Sequence, residues 1–321
     1  MEGGFVIRGP VWDDLDSVLS LIRECEVLDE SEAESTADDL RTDWRLPGVD
    51  LSRDAWVVST PQGRIVGYAS IWQRVDGLRF ESDGYTHPSF GGRGIGTALV
   101  RAVEARAREQ ARAGAKLRVP VNHANEAARQ LLKNEGYSPV RFYWRMVIDF
   151  ASPPDVPAWP DGVGLRAFEL GHDDRAVHAL IQDAFADNHD YSPLPFDAWR
   201  AAMIEREDFD PELFLLATAG EDVLAAALCP RYENTGWVRQ LAVRRNWRRR
   251  GLGRTLMNHT FAEFYRQGYR RAGLVVDSYN RTGAKEFYES LGMRVAQQHD
   301  GHEKGIGARS LEQGSTLIVS E

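Results

Sequence analysis

Arg248-Arg249-Arg250-Gly251-Leu252-Gly253 lies between two runs of different periodicity. Before it, from Trp237, the residues Val238, Leu241 and Val243 read as a strand; after it, Leu256, Met257, Thr260, Phe261, Phe264 and Tyr265 share one helical face. A tight turn from strand into helix leaves the first backbone N–H groups of the helix unpaired, at the positive end of its dipole. That is an anion site. Glycines let its backbone approach a phosphate closely, and arginines add charge-assisted hydrogen bonds. The Walker form lacks its Gly-Lys-Ser/Thr here. The dinucleotide fingerprint would need a small residue near Leu256 and an acidic residue closing the next strand. Taken alone, the turn is equally a capped helix with a solvated basic face.

Working outward, the turn occurs twice. Gly94-Ile95-Gly96 also opens a helical pattern, 157 residues before Gly251. Ile7-Arg8 matches Leu165-Arg166, and each pair precedes Asp-Asp and a helix with apolar spacing: Val18, Leu21, Ile22 in one case, Val177, Leu180, Ile181 in the other. The strand pair Trp56 to Val58 and Ile65 to Ala69 matches Phe214 to Leu216 and Val223 to Ala227, and Gly136-Tyr137 matches Gly292-Met293. Between the copies Ala151 to Gly162 holds prolines at 153, 154, 157 and 160 and reads as a stiff, extended linker. The expected organisation is therefore a first domain over 1–150, a linker over 151–162 and a second domain over 163–321. Each half runs strand, helix, helix, three strands, glycine turn, helix, strand, helix, strand, an α/β (α+β) arrangement. Ser315 to Ser320 has strand-like composition outside the repeat.

Downstream of the second turn, Leu274-Val275-Val276-Asp277 reads as a buried strand, followed by Asn280 through Tyr288 and then Leu291-Gly292-Met293. With these residues in view, the chain resembles the GNAT superfamily of N-acetyltransferases over nearly its whole length. Arg248-x-x-Gly251-x-Gly253 is similar to that family's pyrophosphate loop. Asn280 to Met293 is similar to its following motif, in which a helical tyrosine stands four residues before a glycine. The two-copy arrangement resembles tandem members such as the mycothiol synthases. The resemblance implies two splayed, mixed sheets flanked by helices, with acetyl-CoA as acyl donor and a small-molecule primary amine as acceptor. It places CoA on Leu241, Ala242, Val243, Arg248, Arg249, Arg250, Gly251, Leu252, Gly253, Arg254 and Asn280, with amides of Leu241-Ala242-Val243 polarising the thioester carbonyl. It makes Tyr288 the general acid for the departing thiolate.

The first copy departs from this pattern. Gly91 stands where Arg248 stands, and Leu132 occupies the tyrosine position. Thr86, Gly92, Gly94 and Gly96 keep the form of a CoA site, so this copy either binds CoA without an acid or is structural only. Glu81 and Asp83 are candidate bases or solvated strand-edge carboxylates. In the second copy Trp237 lies near the place where some relatives put a glutamate base, with Glu233 just upstream. The loop Asp187-Asn188-His189-Asp190-Tyr191 is where relatives line the acceptor pocket.

Composition bounds the alternatives. At 321 residues, 43% hydrophobic and 27% charged, the chain is long enough for two ordinary globular cores. Its longest apolar run, Val223 to Cys229, is far short of the ~20 residues that span a membrane. The start, Met1 to Arg8, lacks a basic n-region and apolar stretch, so a cytoplasmic protein is expected. A net charge of −9 disfavours nucleic acid and anionic membranes. The six arginines of Arg244 to Arg254 are better explained by the phosphates of CoA than by nucleic acid, since Trp247 is the single aromatic residue among them and no aromatic–basic alternation accompanies them. Cys25 and Cys229 fall in different halves and read as small buried residues. His299 and His302 lack partners at ligand spacing, so no metal is expected. A non-catalytic acyl-CoA-binding module is the competing reading, and Tyr288 favours the enzyme.

Overall fold

The computed structural model describes residues 4–307 apart from 31, 32, 34, 47, 75, 76, 187–190, 233 and 280–282. The chain forms two compact units. One comprises Met1–Ser35, Gly48–Val140 and Gly301–Glu321, the other Thr36–Pro47 and Arg141–Asp300. Residues 141–150, before the proline-rich segment, thus belong to the second unit and those from Gly301 onward to the first, and a short helix from the first half is built into the second unit. Ser315 to Ser320 lies outside the described residues.

In chain order the first unit supplies β1 (Val6–Arg8) and α1 (Leu15–Glu30). The second unit then receives α2 (Ala37–Trp44), before the first resumes with α3 (Leu51–Asp54), β2 (Ala55–Ser59), β3 (Ile65–Gln73), β4 (Arg79–Thr86), α4 (Ile95–Gln110), β5 (Lys116–Asn122) and α5 (Glu126–Asn134). β1 to β4 form an antiparallel run in sequence order, and β5 joins β4 in parallel. The core lies where α4 crosses β3: Ile95, Leu99 and Val103, each at most 3% exposed, pack with Val58, Val66, Phe80 and Leu117. Burying each such side chain stabilises the fold by about 1.5–3 kcal/mol.

The second unit continues with β6 (Ser138–Asp149), β7 (Gly164–Ala167), α6 (Asp174–Phe185), α7 (Phe196–Met203), β8 (Phe214–Ala219), β9 (Asp222–Leu228), β10 (Gly236–Trp237), β11 (Gln240–Val243), α8 (Leu252–Arg266), β12 (Arg271–Asp277), α9 (Ala284–Glu289) and β13 (Arg294–Gly305). β7, β8, β9 and β11 form an antiparallel sheet in that order; β10, β12 and β6 are neighbours in a second sheet. Its helices cover both faces: α8 and α9 pack with Leu215, Leu224, Val238 and Leu274, while α6 and α7 pack with Leu216, Ala226 and Ala242. Phe264 of α8 presses so closely on β10 that a Cβ at Gly236 would lie 2.4 Å from its ring, so a side chain there requires that ring to move. The residues 274–277 are buried on one face only, because Val275 is 52% exposed.

β13 starts in the second unit, and its last residues, Gly301–Gly305, belong to the first. There Lys304 reaches the buried carboxylate of Glu104 at 2.6 Å, Arg118 pairs with Glu303, and the amide of Ile306 bonds to Ala115 O at 2.9 Å. Both cysteines are buried free thiols, and burial pushes the Cys229 thiol pKa well above its ordinary value. Among the described residues no helix is long and apolar enough to cross a membrane.

Candidate functional site

The glycine turn of the second unit ends on Gly251, whose left-handed backbone (φ 82°) caps α8 without any side-chain hydrogen bond. Elsewhere in the chain Thr36 caps α2 through Asp39 N, and Asn125 caps α5 through Ala128 N. The helical ladder of α8 starts with Thr255 N on Gly251 O at 3.0 Å, so the amides of Leu252, Gly253 and Arg254 precede the first rung. Arg249, Arg250 and Gly251 are exposed. Arg249 is the one described non-glycine residue with positive φ, 64°, in a conformation that costs an L-residue roughly 1–2 kcal/mol.

Most of the arginines here brace the backbone. Arg248 donates from Nε to Val243 O at 3.2 Å and from Nη2 to Ala184 O at 2.9 Å. Arg254 holds Ser290 through its carbonyl (3.0 Å) and hydroxyl (2.6 Å), Arg244 bonds Val223 O at 2.6 Å, and Arg245 pairs with Asp183 at 3.1 Å. Arg250 lies over the Trp247 ring at 5.2 Å. The arginine run therefore shapes the turn as much as it charges it.

The strand before the turn splits. Val238 N still bonds Gly273 O of β12 at 2.9 Å, whereas Arg239 N bonds Leu228 O of β9 at 3.0 Å. Val238 and Leu241 both face the α8 side while Ala242 faces α6, so two residues, Arg239 and Gln240, are accommodated where alternation allows one. Beyond Trp237 no register with β12 remains, and the strand continues on β9 alone. Since Arg244 N bonds Leu224 O at 2.9 Å, antiparallel alternation turns the amides of Leu241 and Val243 away from β9, into the opening.

Tyr288 sits on α9. Its ring packs against Phe287 (centroids 5.1 Å apart) and the α8-side core, and burial pushes its phenol pKa well above the ordinary value. The hydroxyl has no hydrogen-bond partner among the described residues. Splay, turn and α9 meet at one residue: a Cβ on Gly253 would lie 3.4 Å from Val243 and 3.7 Å from Phe287. Asn280 lies outside the described residues, as do Glu233, Asp187, Asn188, His189 and Asp190. Tyr191 bonds Gln182 at 2.5 Å, and Trp237 is paired with Gly273 of β12, where a Cβ would be 2.7 Å from its ring. The sequence reading missed Asp39 and Arg239, which pair at 3.1 Å across 200 residues of chain.

The first unit repeats the backbone features. β4 pairs with β5 only from Arg79 to Glu81 and then follows β3 alone to Thr86. Gly94 caps α4 in the left-handed conformation (φ 77°) with no side-chain bond, and Gly92 (φ 72°) stands where the second unit has Arg249. Gly96 lets α4 meet α5 and the strand end, since a Cβ there would be 2.9 Å from Leu131 and 3.6 Å from Thr86 Oγ1. Leu132, in the tyrosine position, is a core residue at 2% exposure. Glu81 is taken up by an ion pair with Arg74 at 3.1 Å, and Asp83 pairs across the ladder with Ser70.

The profile of the acetyltransferase (GNAT) family matches residues 15–137 and 175–293, one match in each half. The chain is 30% identical over 285 residues to a mycothiol acetyltransferase of Streptomyces scabiei, covering 86% of this chain and 87% of that protein. Among solved structures, a GCN5-related N-acetyltransferase from Sphaerobacter thermophilus superposes with a TM-score of 0.79 at 33% identity, covering 95% of this chain and 97% of that one. A tandem GNAT protein from the clavulanic acid biosynthesis pathway follows the same fold, with a TM-score of 0.74 at 17% identity and coverage of 95% and 100%. The chain belongs to the GNAT family and is a tandem acetyltransferase.

Proposed function

We propose that the second unit transfers an acetyl group from acetyl-CoA to a primary amine of a small molecule. The observation that carries this reading is the meeting at Gly253 of a helix N-terminus without a side-chain cap, an opened strand with inward-facing amides, and the helix bearing Tyr288. The amides of Leu252 to Arg254, with Arg249 and Arg250, suit the pyrophosphate. The amides of Leu241 and Val243 suit pantetheine and the thioester oxygen, where N–H donors stabilise the charge that develops on attack.

In the reaction the amine nitrogen bonds to the thioester carbon, the carbon–sulfur bond breaks, and the sulfur leaves as thiolate. The amine loses one proton as the amide forms, and the thiolate gains one to become the CoA thiol. Tyr288, kept neutral by burial, acts as the proton donor to sulfur. The first unit has the turn and the splay but Leu132 in place of the hydroxyl, which suits CoA binding without catalysis.

The narrower reading is mycothiol acetylation, favoured by the name of relatives that match most of this chain at about 30% identity. Incubation with acetyl-CoA and a panel of primary amines, followed by free-thiol release, tests both readings. Turnover with a range of simple amines supports the broad one, selective use of the mycothiol precursor supports the narrow one, and absence of thiol release with every amine overturns both.

A further inference from the structure

The split in the strand before the turn leaves Arg239 outside both registers, between Trp237, the last residue in register with β12, and Gln240, the first in register with β9, yet the amides that follow must be held to within fractions of an ångström to serve an oxyanion. What holds them is a clamp. Arg239 sends Nη2 to Asp39 Oδ1 at 3.1 Å and to the Tyr232 hydroxyl at 3.2 Å. Asp39 is itself fixed from three sides: Arg206, only 4% exposed, donates to it at 2.9 Å, Thr36 Oγ1 at 2.8 Å and Tyr232 at 3.4 Å. Tyr232 packs against Trp237, the last residue paired with β12, and its carbonyl accepts from the Tyr269 hydroxyl at 2.7 Å. Arg206 is bound in turn by Asp208 at 2.5 Å and Asp38 at 3.5 Å.

We infer that Asp39, on a helix drawn from the first half of the sequence, is a positioning residue for the second unit's active site, acting through Arg239 to fix the bulge that aims the amides of Leu241 and Val243. It touches neither donor nor acceptor. The inference rests on the acetyl-transfer reading above. The phosphate-binding turn is braced separately, by Arg248 and Arg254, so loss of the clamp leaves acetyl-CoA binding in place while misaligning the reacting carbonyl.

The test is Asp39→Asn, Arg239→Gln and the double variant in the full chain, with Arg41→Gln as a control that removes an outward ion pair (Arg41 to Glu207, 3.3 Å) from the same helix. Each is assayed for kcat and acetyl-CoA KM by thiol release with the best amine acceptor, for melting temperature, and for amide hydrogen exchange over residues 239–243. A misplacement of the order of 1 Å costs about 10²-fold in rate. The expected result is that scale of loss in kcat for both single variants, no further loss in the double variant, unchanged acetyl-CoA KM and faster exchange at 239–243. Asp39→Glu, which restores the charge, recovers part of the rate. Wild-type kcat in Asp39→Asn with a lowered melting temperature overturns the inference, as does additive loss in the double variant. If Asp39→Asn fails to fold, Arg239→Gln with wild-type kcat overturns it alone. An inactive wild type instead overturns the acetyl-transfer reading, which separates the two failures.

Discussion

Replacing Gly251 with valine separates what the turn does for the fold from what it does for the ligand. The backbone at 251 has φ 82°, and a Cβ built there meets no heavy atom within 4 Å. The cost to the fold is therefore conformational and not a clash, roughly 1–2 kcal/mol for an L-residue in that region. For a unit of this size that lowers the melting temperature by about 2–8 °C. Arg249 already adopts φ 64° two residues earlier, so the turn tolerates a side chain in this region and the variant should fold. The cost to binding is larger. If strain at residue 251 turns even one of the following amides off a phosphate oxygen, the lost charge-assisted bond is worth about 1.5–3 kcal/mol, or ~10- to 150-fold in affinity. The measurement is calorimetric titration with acetyl-CoA in a Gly94→Val background, which silences the first unit's turn, alongside thermal melting. A lowered melting temperature with an unchanged dissociation constant would refute the assignment of this turn to phosphate.

Three further outcomes are expected. Gly94→Val should leave turnover intact while removing any second equivalent of bound acetyl-CoA in the same titration; loss of turnover would mean that the first unit is catalytic. Tyr288→Phe should keep acetyl-CoA affinity and lower kcat by about 10²–10⁴-fold, the range of a general acid. Because burial raises the phenol pKa, the wild-type rate should show no decline from its ionisation below pH ~10. Glu104 is 4% exposed; burial pushes its pKa up, but bonds from Lys304 and Arg108 outweigh this and hold it below the ordinary value. Its contribution to stability is present at neutral pH and is lost as pH falls below about 4.5 through the folded-state value, so Glu104→Gln should unfold at lower denaturant concentration at pH 7 and lose less on acidification than the wild type. An equal acid dependence in the two proteins would contradict this.

The elements were legible where local pattern decides them. The 3.6-residue apolar spacing of α4 and α8, the glycines that end their turns and the paired strands β2–β3 and β8–β9 follow from side-chain periodicity, which a single sequence displays. The splay followed from the family likeness, and its physical trace is also in the sequence: Val238 and Leu241 are three apart, which breaks a two-residue alternation. What periodicity does not encode is which neighbour an element chooses. β6 reads as the end of the first copy, yet from Tyr143 it pairs along β12, and the last residues of β13 complete the first unit. Both choices join strands to partners far away in sequence. The role of Asp39 was illegible for the same reason, since nothing near it announces an arginine 200 residues on.

The two units also show which parts of such a site survive sequence drift. Turn and splay are backbone features: they need glycine at one or two left-handed positions and an interrupted ladder, and both units have them despite differing side chains. The proposed proton donor is one side chain, and Tyr288 has its counterpart in Leu132, an apolar residue sealed into the core. The turns differ in the same sense. In the first unit the position before the middle of the turn is Gly92, relaxed at φ 72°; in the second it is Arg249, at φ 64° and a cost of about 1–2 kcal/mol. A strained residue kept where glycine would be relaxed gains its place by what its side chain does. Arg249 is exposed in the turn with no partner among the described residues, which fits the proposed contact with a phosphate. The strain and the phenol are thus independent features, one of backbone and one of chemistry, that support the proposed assignment of the reaction to the second unit.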